Sequence, residues 1–146
     1  WCGSNGEKYR SIYSKDSYAL QLAVKMGYRV CVISGGSAVG VRERLETLGI
    51  TDIFTGAEDK LPVFEAYCKK HSLEYEQIMY IGDDIPDLQI LHRVGVAVAP
   101  ADAGEDVMNA VHFVTKQAGG QGAIREALEK VMKIQQKWYT PSALKW

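Results

Sequence analysis

Gln77-Ile-Met-Tyr-Ile-Gly-Asp-Asp-Ile-Pro-Asp87 begins as an unbroken apolar run and ends in three carboxylates, Asp83, Asp84 and Asp87. A run without polar alternation is what a strand covered on both faces requires, and such strands belong to parallel sheets. The same pattern recurs on either side. Upstream, Arg29-Val-Cys-Val-Ile33 stops at Ser34-Gly-Gly-Ser37, and Asp52-Ile-Phe-Thr55 is a shorter strand. Downstream come Val94 to Ala99 and His112 to Thr115. Helical spacing fills the intervals: Leu20, Ala23 and Val24 before Gly27; Val41, Leu45 and Leu48 before Gly49; Leu61, Phe64 and Cys68; Leu88 and Leu91; Glu105 to Ala110; and Ile124, Leu128 and Val131. Glycine directly after the last helical turn is a stop signal. Strand and helix alternating in this way predict an α/β class with a doubly wound parallel sheet and right-handed crossovers.

Residues 1–13 read as a projecting β-hairpin, because Gly3-Ser-Asn-Gly6 tolerates positive φ between short polar strands. Residues 138–146 form an aromatic tail containing Pro141, suited to packing on the body or on a neighbouring subunit. With no repeat, linker or low-complexity tract, residues 1–146 are expected to form one domain. The chain opens on Trp rather than Met, an indication that the natural chain starts further upstream.

Seventeen Lys and Arg against 18 Asp and Glu give a formal charge of −1, which argues against nucleic acid held by bulk charge. The apolar runs are far too short for a membrane span, and no signal layout opens the chain. The three cysteines, Cys2, Cys31 and Cys68, are an odd number without a CxxC pair, and Cys31 lies inside an apolar run. A reducing, cytoplasmic setting is therefore expected, without a structural zinc.

In an open parallel sheet, ligands collect beyond the carboxyl ends of the strands, where helix N-termini offer unpaired N–H groups. This rule converges on Ser34 and Gly35 after one strand, Asp83 and Asp84 after another, and Lys60 at the start of a helix. Adjacent carboxylates repel unless something positive joins them, and a divalent ion with oxygen ligands is the simplest remedy. Mg²⁺ suits such a site because it keeps several waters and shares a phosphate. Asp87, one turn on, would orient the ligands or hold a metal-bound water. Lys60 would meet phosphate charge, and Ser34 with the following N–H groups would cradle phosphate oxygens. The set is phosphoryl-transfer equipment. Taken singly, Asp83–Asp84, Ser34 and Asp16 also fit plain helix caps, and Lys60 a solvated side chain. Gly35-Gly-Ser-Ala-Val-Gly40 lacks the glycine spacing of a dinucleotide fingerprint.

From about Gly6 to Met132 the chain resembles the haloacid dehalogenase-like phosphatases, and within them the capless group typified by 3-deoxy-D-manno-octulosonate 8-phosphate phosphatase. The residues that carry the resemblance are Val32-Ile-Ser-Gly-Gly36, Asp59-Lys-Leu61, Tyr80-Ile-Gly-Asp-Asp-Ile-Pro-Asp87 and Gly119-Gly-Gln-Gly-Ala-Ile-Arg-Glu126. The resemblance implies Asp83 as a Mg²⁺ ligand supported by Asp84 and Asp87. It implies Lys60 and Ser34 on the transferring phosphoryl group with Gly35, and Asp16 and Arg125 on the substrate side. It also implies a Gly119 to Gly122 loop that lets backbone approach the ligand, a homotetramer whose neighbours close the site, and a sugar-acid phosphate substrate of lipopolysaccharide-precursor synthesis. Two departures stand out. The family's Asp-x-Asp-Gly-Val-x-Thr-Asp-Gly motif, which supplies the attacking carboxylate and the general acid, has no counterpart here, so the chain as given is expected to be inactive and to expose two ladder edges. Ser34-Gly-Gly36 also replaces a common Thr-Gly-Arg, removing a bidentate donor. A phosphatase for the 9-phosphate of a nonulosonic acid, and a non-catalytic oligomerising domain like that of some acylneuraminate cytidylyltransferases, are the alternative readings.

Overall fold

The structure is a computed structural model that describes residues 12–36 and 39–145. Among the described residues six helices and five strands alternate: α1 Ser14–Lys25, β1 Cys31–Ser34, α2 Val39–Thr47, β2 Asp52–Thr55, α3 Lys60–His71, β3 Met79–Ile81, α4 Leu88–Leu91, β4 Val96–Ala99, α5 Glu105–Ala110, β5 Phe113–Val114 and α6 Ala123–Ile134. The expected alternation is therefore present in full from α1 onward. Its strands are shorter than the apolar runs that announce them: β1 starts at Cys31 rather than Arg29, and β3 at Met79 rather than Gln77. Residues 75–77 form a 3-10 turn, which takes the first residue of the third apolar run out of the ladder. Gly27 and Gly49 both sit at φ +84, the left-handed conformation in which a side chain would be strained. The hairpin expected over residues 1–13 lies almost wholly outside the described residues.

The three strand pairings among the described residues are parallel, in two ladders, β1 with β2 and β3-β4-β5. Among the described residues β1 and β3 do not pair, although Ile33 of β1 and Tyr80 of β3 pack against the same core. Among the described residues β1 pairs with β2 alone and β3 with β4 alone.

Adjacent residues of β1 point to opposite faces, as the two-residue period requires. Ile33 joins Phe64, Cys68, Ile90, Leu91 and Val107, the layer made by α3, α4 and α5. Val32 joins Leu20, Leu45, Leu48, Ile124 and Leu128, the layer made by α1, α2 and α6. Helices on both faces of parallel strands make the fold doubly wound. Burying Ile50, Ile90 and Leu91 to 1% exposure or less contributes about 1.5–3 kcal/mol for each side chain.

The carboxyl-terminal tail packs on the body. Tyr18 donates its hydroxyl to the Ala143 carbonyl at 2.6 Å, Lys25 donates to the Lys145 carbonyl at 3.0 Å, and Trp138 meets the Tyr18 ring edge-on at 6.2 Å. Cys31 and Cys68 are free thiols, half-buried and buried. Burial, followed by the Asp52 carboxylate and Cys68, pushes the Cys31 thiol up to about 12, so it is no nucleophile at neutral pH.

Candidate phosphoryl-transfer site

Ser34 is the last residue of β1, and Lys60 is the first of α3. Two hydrogen bonds hold the strand ends together, and a third folds the Ser34 side chain back on its own turn. The Ala57 N–H donates to the Ser34 carbonyl at 3.1 Å, the Gly56 N–H to the Gly36 carbonyl at 3.4 Å, and the Gly36 N–H to Ser34 Oγ at 3.2 Å. As Ser34 Oγ is an acceptor in the last of these, its own proton is left for an incoming oxygen. Asp59 caps α3 by accepting from the Leu61 N–H at 3.1 Å, which fixes the backbone from which Lys60 extends.

Lys60 crosses to the other ladder and donates from Nζ to Asp87 Oδ1 at 2.7 Å, with side chains 18% and 2% exposed. Asp87 is the hub of the site. Its Oδ1 also accepts from the Tyr80 hydroxyl at 2.7 Å, and its Oδ2 from the N–H groups of Asp83 at 3.2 Å and Asp84 at 3.4 Å. Gly82 is required beside it, since a Cβ there would stand 2.5 Å from Asp87 Cβ. The Tyr80 phenol is pushed up, first by burial and then by its bond to Asp87, and stays a proton donor.

Burial alone would raise the Asp87 carboxyl, but the bonds from Lys60, Tyr80 and the Asp83 N–H outweigh it and hold the group below the usual carboxylate range. A folded value below the unfolded one of about 3.9 means that this stabilisation is complete above roughly pH 4 and disappears as pH falls through the folded value. Urea midpoints measured from pH 6 to pH 2 are expected to drop across the acid end, and less steeply in Asp87→Asn.

Asp83 and Asp84 take different roles although they are adjacent. Asp84 Oδ1 accepts from the Ile85 N–H at 2.8 Å, capping the 3-10 turn Ile85–Asp87, so for Asp84 the plain-cap reading applies. The Asp83 main chain is fixed by Asp87 and by the Gly104 N–H, which donates to its carbonyl at 3.0 Å, while its side chain is exposed at the carboxyl end of β3. No group of three His, Cys, Asp or Glu side chains converges among the described residues. One anchored, exposed carboxylate fits Mg²⁺, which binds through one or two carboxylates and completes its shell with water and phosphate.

Asp16 and Arg125, expected on the substrate side, are engaged elsewhere. Asp16 is 3% exposed within α1, where it accepts from the Gly122 N–H at 3.2 Å and the Arg125 N–H at 2.8 Å, capping α6 from another helix. The Arg125 guanidinium pairs with Glu129 at 3.3 Å and lies over the rings of Trp138, 5.1 Å away, and Tyr18, 5.7 Å away. The Gly119 to Gly122 loop is likewise committed: the Gly119 N–H donates to Asp102 Oδ1 at 2.7 Å, and Glu126 Oε2 accepts from Lys116 and Gln117. A recess of about 430 Å³ opens beside this loop, walled by Lys15, Gln121, Arg125 and Lys130 among others, and none of Ser34, Lys60 or Asp83 lines it. The structure thus brings Lys60, Asp83, Asp84 and Asp87 together and sets Asp16 and Arg125 at the α1–α6 joint. Tyr80 and Asp102 were missed. The signal for Tyr80 was a phenol in an otherwise apolar strand, since a buried Tyr hydroxyl needs a partner.

Residues 46–128 match the model of the haloacid dehalogenase-like hydrolase family. The 3-deoxy-D-manno-octulosonate 8-phosphate phosphatase KdsC of Escherichia coli K12 is 34% identical over 137 residues, 94% of this chain and 73% of that protein. The crystal structure of the phosphatase of the same name from Yersinia pestis superposes with a TM-score of 0.91 at 33% identity, covering 94% of this chain and 74% of that one. The Moraxella catarrhalis phosphatase, solved with a magnesium ion, a phosphate ion and KDO, gives 0.91 at 31% identity, covering 94% and 79%.

Proposed function

Because the chain belongs to the haloacid dehalogenase-like hydrolases, in the branch of the 3-deoxy-D-manno-octulosonate 8-phosphate phosphatases, we propose that it serves Mg²⁺-dependent hydrolysis of a sugar-acid phosphate monoester, 3-deoxy-D-manno-octulosonate 8-phosphate in the first place. The observation that carries this reading is the 2.7 Å bond between Lys60 Nζ and Asp87 Oδ1, which holds a cation beside the carboxylate-bearing turn at the strand ends.

In this reading Asp83 would hold Mg²⁺, whose charge would offset that of the phosphate when bound. Lys60, tethered by one proton, turns its remaining N–H groups to a phosphate oxygen. Ser34 donates its hydroxyl to a second oxygen, beside the Gly35 N–H. Asp84 and Asp87 hold the turn that carries Asp83. None of the three carboxylates is placed to attack phosphorus, as Asp84 and Asp87 are hydrogen-bonded and Asp83 serves the metal. The attacking carboxylate that the family resemblance implies would come on a strand between β1 and β3, next to Ser34, Lys60 and Asp83. Residues 1–146 alone should then turn over no substrate.

The test is phosphate release from the 8-phosphate, and from the 9-phosphate of a nonulosonic acid, by this chain and by the chain preceded by an Asp-x-Asp strand. Release is expected only from the extended chain and only with Mg²⁺; no release from either substrate by the extended chain refutes the reading. No helix among the described residues is long and apolar enough to cross a membrane. A single domain, a homotetramer and a cytoplasmic place of action complete the proposal.

A further inference from the structure

Asp87 has four acceptor positions, two on each carboxylate oxygen, and all four are filled. The backbone N–H groups of Asp83 and Asp84 take Oδ2, and Lys60 Nζ and the Tyr80 hydroxyl share Oδ1, each at 2.7 Å. The carboxylate therefore keeps no lone pair for a metal or a metal-bound water. It acts as a clamp, and its direction is set by donors from three places in the chain.

Tyr80 meets the helix face that carries Lys60 in two ways. Its ring packs T-shaped on Phe64, centroids 6.3 Å apart at 83°, and Phe64 lies four residues after Lys60 on the same side of α3. Its hydroxyl shares the oxygen that Lys60 holds. The ring thus seats β3 on α3, while the hydroxyl bears only on the direction of the clamp. Without the hydroxyl, Oδ1 loses one of the two donors that fix its direction, and the acceptor that holds Lys60 is free to turn.

We propose that Tyr80 is a positioning residue of the phosphoryl site: by fixing the Asp87 carboxylate it holds the tethered Lys60 ammonium in place, with the other ammonium protons turned to the crevice. This rests on the reading of Lys60 as the phosphate-binding cation. Tyr80→Phe deletes the hydroxyl and keeps the ring contact. In the 146-residue chain, the Lys60 ammonium protons are followed by ¹⁵N-edited NMR, and inorganic phosphate is titrated in the presence of Mg²⁺. The variant is expected to exchange its Lys60 ammonium protons about tenfold faster and to bind phosphate about tenfold more weakly, the range for partners that orient a ligand. A purely structural Tyr80 would lower the thermal midpoint and leave the Lys60 exchange rate of the folded protein unchanged.

Unchanged Lys60 exchange in a folded Tyr80→Phe protein overturns the proposal. If the unsubstituted chain binds no phosphate, the functional reading of Lys60 fails, while the exchange comparison still decides whether Tyr80 sets the tether. Should Tyr80→Phe not fold, the unsubstituted protein decides. A slowly exchanging Tyr80 hydroxyl proton with a nuclear Overhauser contact to the Lys60 ammonium upholds the proposal, and a hydroxyl exchanging at the solvent rate overturns it.

Discussion

Asp83→Asn is expected to abolish Mg²⁺-dependent phosphate release by the chain extended with an Asp-x-Asp strand, by about 10³-fold or more, some 4 kcal/mol of barrier. The substitution replaces an exposed carboxylate on a fixed backbone, one not used as a cap, by an amide of the same shape. A neutral amide oxygen is a much poorer ligand for a hard cation that binds through very few protein groups. The fold should not respond, because Asp83 is held through its backbone, by the Gly104 N–H at its carbonyl and by Asp87 at its own N–H. The thermal midpoint without metal should therefore stay within about 2 °C of the parent, since an exposed side chain away from buried features changes stability by only about half a kcal/mol. Asp84→Asn makes the internal control. Its side chain caps a turn, so it should cost activity far less, about tenfold. Equal release by Asp83→Asn and the parent would refute the metal assignment.

Asp16→Ala should destabilise the fold by about 2–4 kcal/mol in urea unfolding. Both carboxylate oxygens are used, on the Gly122 and Arg125 N–H groups, and Asp16 is 3% exposed, so the alanine would leave two N–H groups of the α6 start without their partner. The loss falls on the joint that ties the carboxyl-terminal helix to the first one. A fall of roughly 10 °C in the thermal midpoint is the matching calorimetric result. Asp16→Asn keeps one acceptor oxygen and turns an amide donor towards the other N–H, so it should recover part of the loss. An unchanged midpoint together with abolished phosphate binding would return Asp16 to the substrate side, where the family resemblance put it.

The two residues differ in how they could be read. Asp83 follows an apolar run and a glycine, and the rule that ligands gather beyond strand ends places it without knowledge of any neighbour. Asp16 sits two residues after Ser14 near the start of a helix, and its position suggested a cap on its own helix. It does cap a helix, but the one that begins more than a hundred residues later. Lys60 and Asp87 stand 27 residues apart, and no spacing rule joins them. Tyr80 was legible only as a member of an apolar strand. The carboxyl-terminal tail carried no period, and its place on α1 depends on single contacts such as that of Tyr18 with the Ala143 carbonyl.

The alternation of strands and helices, the parallel class and the helix ends at Gly27 and Gly49 were legible in the sequence, as were the strand ends that carry Ser34 and Asp83. These follow from burial periodicity and backbone conformation, which act over a few neighbouring residues. Which groups meet was left to the packing of the whole chain: Asp87 is a saturated clamp, Asp84 is a cap beside the exposed Asp83 side chain, Asp16 serves α6, and β1 and β3 belong to separate ladders among the described residues. A hydrogen bond needs donor and acceptor within about 3 Å, and which distant groups come that close is settled by the packing of whole layers.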